Sequence, residues 1–299
     1  MTDRAARLAD VGYDFAAEPK RLLRACPLCA TRLLTTVAHE DRYGFPAQAS
    51  FCNGCGVVFL NPLMTPDAYA RFYVNVYRPL VSAYHGRRID AESIQDEQRE
   101  YAAQVGAFVD GQRDGAQLKS ILDVGGSTGV VAAALAERLG AHATVIDPAP
   151  LETEVAQRLG LRTITGFVED YEAGDERFDL VVLAQTIDHL LDAALTLRKI
   201  HDLLTPDGLF FVDIVDLRAG IHRTGSLVGA LKIDHPFAFV EECAELHLAR
   251  AGLDLVAKEY APDGLHVRYL CRQGAAAADL LPPAATVQAL GRELRRAQM

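Results

Sequence analysis

The chain lacks a long apolar run. No stretch of about 18 apolar residues occurs within its 299 residues, so no membrane span is expected. Its first residues, 1–4, lead into a charged segment that lacks the apolar centre of a signal peptide. We therefore expect a cytoplasmic protein, in which cysteines are more often ligands or free thiols than disulfides.

Positive charge is also scarce. The chain has 30 Lys and Arg against 40 Asp and Glu, a formal net charge of −10, and contains no long basic run. A protein that binds a phosphate backbone needs such positive charge, so the composition argues against nucleic acid as a partner. The negative charge alone implies no function, because it also helps to keep a protein in solution. No internal repeat is apparent, and the length suggests about two domains.

The most informative stretch is 122–129, with the sequence LDVGGSTG. It lies between an apolar strand predicted over 118–124 and an Ala/Leu-rich helix predicted over 130–139. A glycine-containing turn from strand to helix is where an open α/β sheet binds a cofactor. Gly125 and Gly126 permit a tight turn and close approach of a ligand. The free N–H groups at the helix start can receive an anionic group.

Two carboxylates narrow the choice of ligand. Asp123 stands before the first glycine, where it suits a positive charge, such as the amino group of a methionine moiety, and repels a pyrophosphate. Asp147 ends the next predicted strand, 143–146, and can accept hydrogen bonds from both hydroxyls of a ribose. Both NAD and S-adenosylmethionine (SAM) enzymes use that second acid, so only Asp123 discriminates, and it favours SAM.

Three stretches resemble the class I SAM-dependent methyltransferases: 122–129, VIDPAP at 145–150 and FDLVVLAQTIDHLLD at 178–192. The resemblance spans roughly residues 118–272. It departs from the family at Ser127-Thr128, where a third glycine is often seen. The family fold is α/β and Rossmann-like, with a mostly parallel sheet whose last strand is antiparallel, and its cofactor is SAM.

The resemblance also implies cofactor-binding residues. In the family, the loop that begins at Phe167 and Val168 holds the adenine edge, although Phe167 can equally be a core residue. Gln185 ends the predicted strand 179–185 at the carboxyl edge of the sheet, where ligands bind. The cofactor-binding candidates are Asp123, Gly125, Gly126, Ser127, Gly129, Asp147, Pro148, Phe167, Val168, Gln185 and Tyr77.

Near the N-terminus the spacing Cys-x2-Cys-x22-Cys-x2-Cys predicts a metal site. Each pair directs two thiolates at one point, and two pairs complete a tetrahedral Zn²⁺ site with no open position, so the predicted ion is structural. Predicted strands within 31–40, 45–51 and 56–60 make this a small zinc ribbon; the alternative is four core thiols without metal. The predicted ligands are Cys26, Cys29, Cys52 and Cys55. The remaining cysteines, Cys243 and Cys271, are predicted to be buried as small hydrophobes.

A third motif, YARFYVNVYRPL at 69–80, has an apolar stripe at helical spacing that favours core packing. The alternative is that Tyr77 and Arg78 approach the cofactor as a lid. The run from Cys26 through FYVNVYRPL resembles a bacterial methyltransferase subgroup with an N-terminal zinc-binding module. Members of that subgroup often belong to sugar or surface-polysaccharide pathways, so the implied acceptor is a small molecule or glycan.

Methylation of an oxygen is helped by a general base, and histidine titrates in the useful range. His235 lies beside Asp234, which could orient it, and is the preferred base. His189 follows the predicted strand 179–185, and Asp188 is a further candidate. Against this, a lone histidine is more often structural, and His189 can serve only to fix its loop.

The expected domains are an arm and zinc ribbon (1–65), a helical linker or lid (66–116), a SAM-binding methyltransferase domain (117–273) and a C-terminal helical tail (274–299). Within the third, residues 217–239 are predicted to be irregular and to bind the acceptor. A homo-oligomer is compatible with the sequence.

Four alternatives stay open: a sugar C-methyltransferase, an RNA methyltransferase, a non-catalytic SAM-binding scaffold and an NAD-dependent dehydrogenase. Asp123 disfavours the dehydrogenase. RNA is disfavoured because residues 1–84 hold nine Lys/Arg and seven Asp/Glu, and because QTID at 185–188 replaces the Asn-Pro-Pro-Tyr type of motif.

Overall fold

The computed structural model describes residues 2–90, 92–113 and 115–298. No helix in these ranges is both long and apolar enough to cross a membrane. The helices are α1 (Thr2–Asp10), α2 (Pro66–Asn75), α3 (Tyr77–His85), α4 (Gln95–Gln112), α5 (Val130–Leu139), α6 (Pro150–Arg158), α7 (Ala193–Leu203), α8 (Leu217–Thr224), α9 (Leu227–Ala230), α10 (Glu241–Arg250) and α11 (Ala284–Arg296). The strands are β1 (Lys20–Arg21), β2 (Leu34–Ala38), β3 (Ala49–Cys52), β4 (Val58–Leu60), β5 (Leu63–Met64), β6 (Ser120–Val124), β7 (His142–Asp147), β8 (Arg162–Thr165), β9 (Phe178–Leu183), β10 (Leu204–Val215), β11 (Phe237–Ala238), β12 (Leu253–Tyr260) and β13 (His266–Gln273).

The largest sheet has the order β12-β13-β10-β9-β6-β7-β8. Five of its strands, β10 to β8 in this order, are parallel, whereas β13 is antiparallel to both of its neighbours. The central strands are runs of Val, Ile and Leu because the sheet is covered on both faces. The predicted α/β, Rossmann-like fold class is confirmed. From β6 the chain first adds β7 and β8 on one side of the sheet, and it then crosses back to add β9 and β10 on the other side. The crevice between β6 and β9, where the strand order reverses, is where such a fold binds ligands.

A second sheet contains the cysteine-rich segment, in the order β11-β4-β3-β2. Strand β11 belongs to the stretch that follows α9, and it pairs antiparallel with β4 through Phe237 with Phe59 and Ala238 with Val58. The N-terminal segment and the predicted acceptor-binding insertion therefore form one sheet. A short third sheet pairs β1 with β5.

One predicted segment was wrong. Residues 217–239 are not irregular, since they form α8, α9 and β11. Asp216 caps α8 by accepting the N–H of Ala219 at 2.8 Å, and Gly225 ends it in the left-handed conformation. Helix α7 ends at Leu203, because the following residues already join β10, with an irregularity between Leu204 and Leu209.

The predicted helical linker contains α2 and α3, which meet at Val76, and Thr65 caps the first of them through the N–H of Ala68. The charged stretch that follows forms α4, which packs on α5. Val105 and Val109 of α4 are fully buried in the same apolar cluster as Leu135 of α5.

Helix α11 covers the cysteine-rich sheet. Its buried residues Val287, Leu290 and Leu294 belong to the same apolar cluster as Phe51 and Cys52. The contact is close, since a Cβ added at Gly291 of α11 would lie 3.1 Å from the Phe51 ring. The C-terminal helix is thus part of the core, and it joins the small sheet to the rest of the molecule.

Replacing Leu294 tests this packing. Leu294→Ala is expected to lower the free energy of unfolding by about 2–5 kcal/mol, because a fully buried leucine leaves a cavity behind. Leu281→Ala, at a half-exposed position before α11, is the matched control and should change it by less than about 0.5 kcal/mol. Urea unfolding measures both. Equal effects would show that α11 does not pack as described.

Candidate active site

The loop between β6 and α5 is built from residues that tolerate left-handed backbone. Gly125, Ser127 and Gly129 have φ angles of 69°, 50° and 76°. A side chain at Gly125 would lie 2.6 Å from Thr186, and one at Gly129 would lie 2.6 Å from Leu161. Both glycines are therefore required for shape as well as for conformation. The contact with Thr186 brings this loop against the loop that follows β9.

Asp123 lies beneath this loop. It is 1% exposed, and neither of its carboxylate oxygens makes a hydrogen bond with any residue that the structure describes. Its carboxyl group lies where a Cβ of Gly126 would be, so that glycine makes room for it. Burial, and then the nearby charge of Asp147, raise the pKa of Asp123 to about 7. An unpaired buried carboxylate is costly, and a cationic ligand group is its natural complement.

Asp147, at the end of β7, fixes the loop. Its carboxylate accepts the backbone N–H of Ser127 at 3.0 Å and that of Ala149 at 2.8 Å. Burial raises its pKa. Each oxygen retains a further lone pair, so the carboxylate can hold the loop and still accept a ligand hydroxyl.

Glu152 was not predicted from the sequence. It lies in the first turn of α6, where its carboxylate accepts the Ser127 hydroxyl at 2.7 Å and is 3.6 Å from the guanidinium of Arg78. This pair joins α3 to the glycine loop. The signal for it was modest: an acidic residue in the helix start that follows VIDPAP.

The other predicted cofactor residues differ in exposure. Val168 is buried, whereas Phe167 is 46% exposed and Pro148 is exposed. Gln185 lies two residues beyond β9 in the left-handed region with an exposed side chain, and its N–H donates to Asp213 at 2.6 Å. Tyr77 is half-buried, and its ring centroid is 5.9 Å from that of His189.

A second group of polar residues surrounds two histidines. The ring centroids of His189 and His235 are 4.4 Å apart. Nδ1 of His189 donates to the main-chain oxygen of Asp234 at 2.8 Å, which ties the loop after β9 to the segment before β11. The hydroxyls of Tyr69 and Tyr73 donate to the same oxygen, at 2.8 and 3.2 Å. Helix α2 is thereby part of this site.

Lys232 was also missed, and it is the hydrogen-bond partner of His235. Its ammonium donates to Nε2 of His235 at 3.0 Å. The predicted partner, Asp234, is 3.6 Å from Nε2, and Asp188 is 3.8 Å from Nδ1, so both carboxylates lie beyond hydrogen-bond distance of the ring. The signal in the sequence was KIDH, which places Lys232 three residues before His235.

The protonation states of this cluster are set mainly by burial. Burial, followed by the charge of Lys232, lowers the pKa of His235 well below its usual value, and burial lowers that of His189 to about 4. Burial also lowers the pKa of Lys232 and raises that of Asp188 to about 7. Both imidazoles are therefore neutral near pH 7, which is the form in which a histidine accepts a proton.

Within the described part of the chain, two carboxylate oxygens in the cluster make no hydrogen bond, Oδ1 of Asp188 and Oδ1 of Asp234. Both side chains are almost fully buried. A small crevice opens beside Asp188 and is lined by Asp188, Lys232, His235 and Asp216, together with apolar groups. Its polar groups could meet the hydroxyl groups of a small ligand.

The segment that carries Lys232, Asp234 and His235 is held by the N-terminal sheet. Asp41, between β2 and β3, accepts the N–H of Ile233 at 2.9 Å. The N–H of Arg42 donates to the main-chain oxygen of residue 231, and that of Leu60 to the main-chain oxygen of residue 236. With the β11–β4 pairing, these bonds fix both sides of the histidine.

The four predicted zinc ligands converge. The sulfurs of Cys26 and Cys55 are 3.7 Å apart, and those of Cys29 and Cys52 are 3.5 Å apart. Four thiolates at about 2.3 Å from one Zn²⁺ in a tetrahedron lie about 3.8 Å from each other, so the spacing fits zinc. A disulfide would require about 2.0 Å.

Comparison with known proteins identifies the family. The profile described as "Methyltransferase domain" matches residues 94–258, more than half of the chain. The chain belongs to this family. The profile begins at the residue before α4 and ends within β12, so it includes the glycine loop, both histidines and Asp123.

Curated relatives match about a third of the chain. A "Ubiquinone biosynthesis O-methyltransferase" of Azorhizobium caulinodans is 33% identical over 102 residues, which is 32% of this chain and 40% of that protein. One of Methylocella silvestris is 38% identical over 97 residues, 30% of this chain and 38% of that protein. The chain thus spans about two fifths of the length of these relatives.

Solved structures share the fold. The 1,6-didemethyltoxoflavin-N1-methyltransferase of Burkholderia thailandensis, solved with S-adenosylhomocysteine, has a TM-score of 0.51 and 22% identity, and the match covers 73% of this chain and 96% of that one. The mitomycin 7-O-methyltransferase MmcR has a TM-score of 0.52 and 18% identity, covering 69% of this chain and 60% of that one.

Asp123 predicts a pH-dependent affinity for S-adenosylhomocysteine, the demethylated form of SAM. Its carboxylate has a pKa of about 7 in the free protein, and a ligand ammonium beside it would lower that pKa. Binding then releases a proton, so affinity should rise about 10-fold from pH 6 to pH 8. Calorimetric titration at several pH values measures this.

Asp123→Asn should abolish this dependence and weaken binding at pH 8. The matched control is Asp188→Asn, because Asp188 has the same raised pKa but lies in the histidine cluster. A wild-type affinity that does not change with pH would rule out the assigned contact.

Proposed function

We propose that the protein transfers a methyl group from SAM to a hydroxyl oxygen of a small polar acceptor such as a sugar or glycan, with His235 as general base. The observation that carries this proposal is the buried cluster of His189, His235, Lys232, Asp188 and Asp234, which lies against the cofactor loop through Thr186. SAM supplies a methyl group that its positive sulfur makes electrophilic.

The cofactor would be held by the glycine loop and its carboxylates. Asp123 is assigned to the ammonium of the methionine part, because its two oxygens are buried and unpaired. Asp147 is assigned to the ribose hydroxyls, and the exposed Phe167 with Val168 to the adenine. Glu152 and Arg78 link α3 to this loop, so Tyr77 and Arg78 are assigned to a cover over the cofactor. A dinucleotide would place a phosphate near Asp123, which is unfavourable.

The proton transfer follows from the histidine geometry. Nε2 of His235 has a lone pair, which accepts from Lys232 in the free protein. An acceptor hydroxyl that enters the crevice competes with Lys232 for this lone pair and gives up its proton there as the oxygen becomes nucleophilic. Asp188 and Asp234, both within 4 Å of the ring, stabilise the resulting imidazolium.

A polar acceptor suits the crevice better than an apolar ring. A ligand with few hydroxyls would leave the charged groups of the crevice without hydrogen-bond partners. Carbon methylation is the alternative, since the same base could remove a proton from carbon. The curated relatives are named for ubiquinone biosynthesis, which makes phenolic acceptors the second class to test.

We assign the four cysteines near the N-terminus to a structural zinc ion. Two backbone N–H groups, of Gly54 and Cys55, lie 3.4 Å from the sulfur of Cys52 and donate to it, which is the support that a thiolate ligand needs. The zinc would stabilise the sheet that holds the segment around His235.

The test combines a binding and a turnover measurement. Purified protein is titrated with S-adenosylhomocysteine and with NAD⁺, then incubated with labelled SAM and a panel of nucleotide sugars, free sugars and phenols. Binding of the first ligand alone, with methylation of a sugar hydroxyl, is expected. Product analysis by NMR separates oxygen from carbon methylation. Binding without any turnover would favour the scaffold, and binding of NAD⁺ alone the dehydrogenase.

His235→Gln should separate binding from chemistry. With the acceptor found in that screen, kcat is expected to fall about 10²–10⁴-fold, because the base is lost. The affinity for S-adenosylhomocysteine should change little. His222→Gln, at an exposed position on α8, is the matched control and should retain wild-type kcat. A wild-type kcat in His235→Gln would move the base role to His189 or Asp188.

A further inference from the structure

Cys243 and His247 lie one helical turn apart on α10 and face the cysteine cluster. Their ligand atoms and the sulfur of Cys55 all lie within 4.8 Å of one another. All three side chains are buried, with 2%, 4% and 2% exposure for Cys243, His247 and Cys55. The other cysteine outside the ribbon, Cys271, is buried in β13 and does not join this group. Burial as small hydrophobes explains Cys271 but leaves the convergence at Cys55 unexplained.

The imidazole of His247 supplies an independent observation. Its Nε2 is buried and has no hydrogen-bond partner among the described residues. A buried polar atom without a partner is uncommon in folded proteins and calls for an unseen water or ion. Cysteine and histidine four positions apart on a helix lie on the same face and present two ligands to one point, as metal-binding helices do.

We propose that Cys55, Cys243 and His247 bind a second zinc ion that shares the Cys55 thiolate with the first. The proposal rests on the assignment of the first zinc to the four-cysteine cluster. Two tetrahedral ions require eight ligand positions. Five thiolates and one imidazole, with Cys55 bridging, fill seven of these positions. The eighth falls to water, for which a small crevice beside Cys55 and Cys243 is the entry.

Charge favours the second ion. One Zn²⁺ with four thiolates carries a net charge of about −2, and it would be buried between the small sheet and α10. A second Zn²⁺ with the Cys243 thiolate brings this to about −1, which costs less to bury. Arg218, the cation that borders the crevice, is already paired with Glu242 and Glu293, so it does not offset the cluster.

The second ion would also affect how the elements are connected. It would connect the cysteine-rich sheet directly to α10, which packs on the large sheet through β12. Strand β11 lies between His235 and α10. Because α10 follows it closely, the metal cluster would restrain both ends of β11.

Metal stoichiometry tests the proposal. Untagged full-length protein grown with zinc is dialysed against a weak chelator, and zinc per chain is measured by mass spectrometry. About two equivalents are expected in the wild type and about one in the double variant C243A/H247A. The matched control C271A, which removes a buried cysteine elsewhere, should retain about two. X-ray absorption should show a zinc–zinc distance in the wild type and none in C243A/H247A.

The outcomes separate the two zinc assignments. One equivalent in the wild type overturns the second site and leaves the first intact, and this result does not depend on whether a variant folds. Two equivalents retained in C243A/H247A would place the second ion elsewhere and also overturn it. No zinc in folded wild-type protein would remove the structural zinc itself.

Discussion

The candidate base is held in place by Asp41. Its buried carboxylate accepts three backbone N–H groups, those of Tyr43, Phe45 and Ile233. Burial raises its pKa to about 7, so the carboxylate is costly to bury, and the three hydrogen bonds offset that cost. Ile233 stands between Lys232 and the Asp234–His235 pair. The cysteine-rich sheet thus supports the segment that carries His235.

That support explains why the N-terminal segment and the large sheet form one structure. Strand β11 completes the small sheet, tyrosines of α2 donate to the main chain of Asp234, and α11 closes over Phe51. None of these contacts lies within the glycine loop. The fold shared by many methyltransferases provides the glycine loop. The added elements, which are the small sheet, α2 and α11, lie around the segment that carries His235. This division agrees with function residing in sites placed on a common fold.

The site is electrostatically incomplete in the free protein. Among the described residues, Asp123, Asp188 and Asp234 have buried oxygens without hydrogen bonds, and Lys232 lies beside the latter two. Such groups are uncommon in folded proteins and call for a water, an ion or a ligand. Those of Asp123 lie beneath the glycine loop, and those of Asp188 and Asp234 lie around His235.

Local patterns in the sequence determined the fold class, the glycine loop and the grouping of four cysteines near the N-terminus. Each depends on residues close in the chain: a strand, a turn with glycines and a helix, or two cysteines three positions apart. The Asp123 carboxylate could be assigned to a cation because its position in the motif is local. The pairing of residues 217–239 with the cysteine-rich sheet is not local, so the sequence did not predict it, and the two helices of this segment were missed.

Only the tertiary structure decided which polar groups meet. Lys232 rather than Asp234 hydrogen-bonds His235, since side chains three residues apart can approach or diverge according to the turn between them. Glu152 reaches Arg78, and Cys243 with His247 reaches Cys55, across separations of 74 to 192 residues that leave no periodic trace in the sequence. Such contacts depend on how sheets and helices pack, which is set by the summed burial of apolar surface across the whole chain rather than by any local motif.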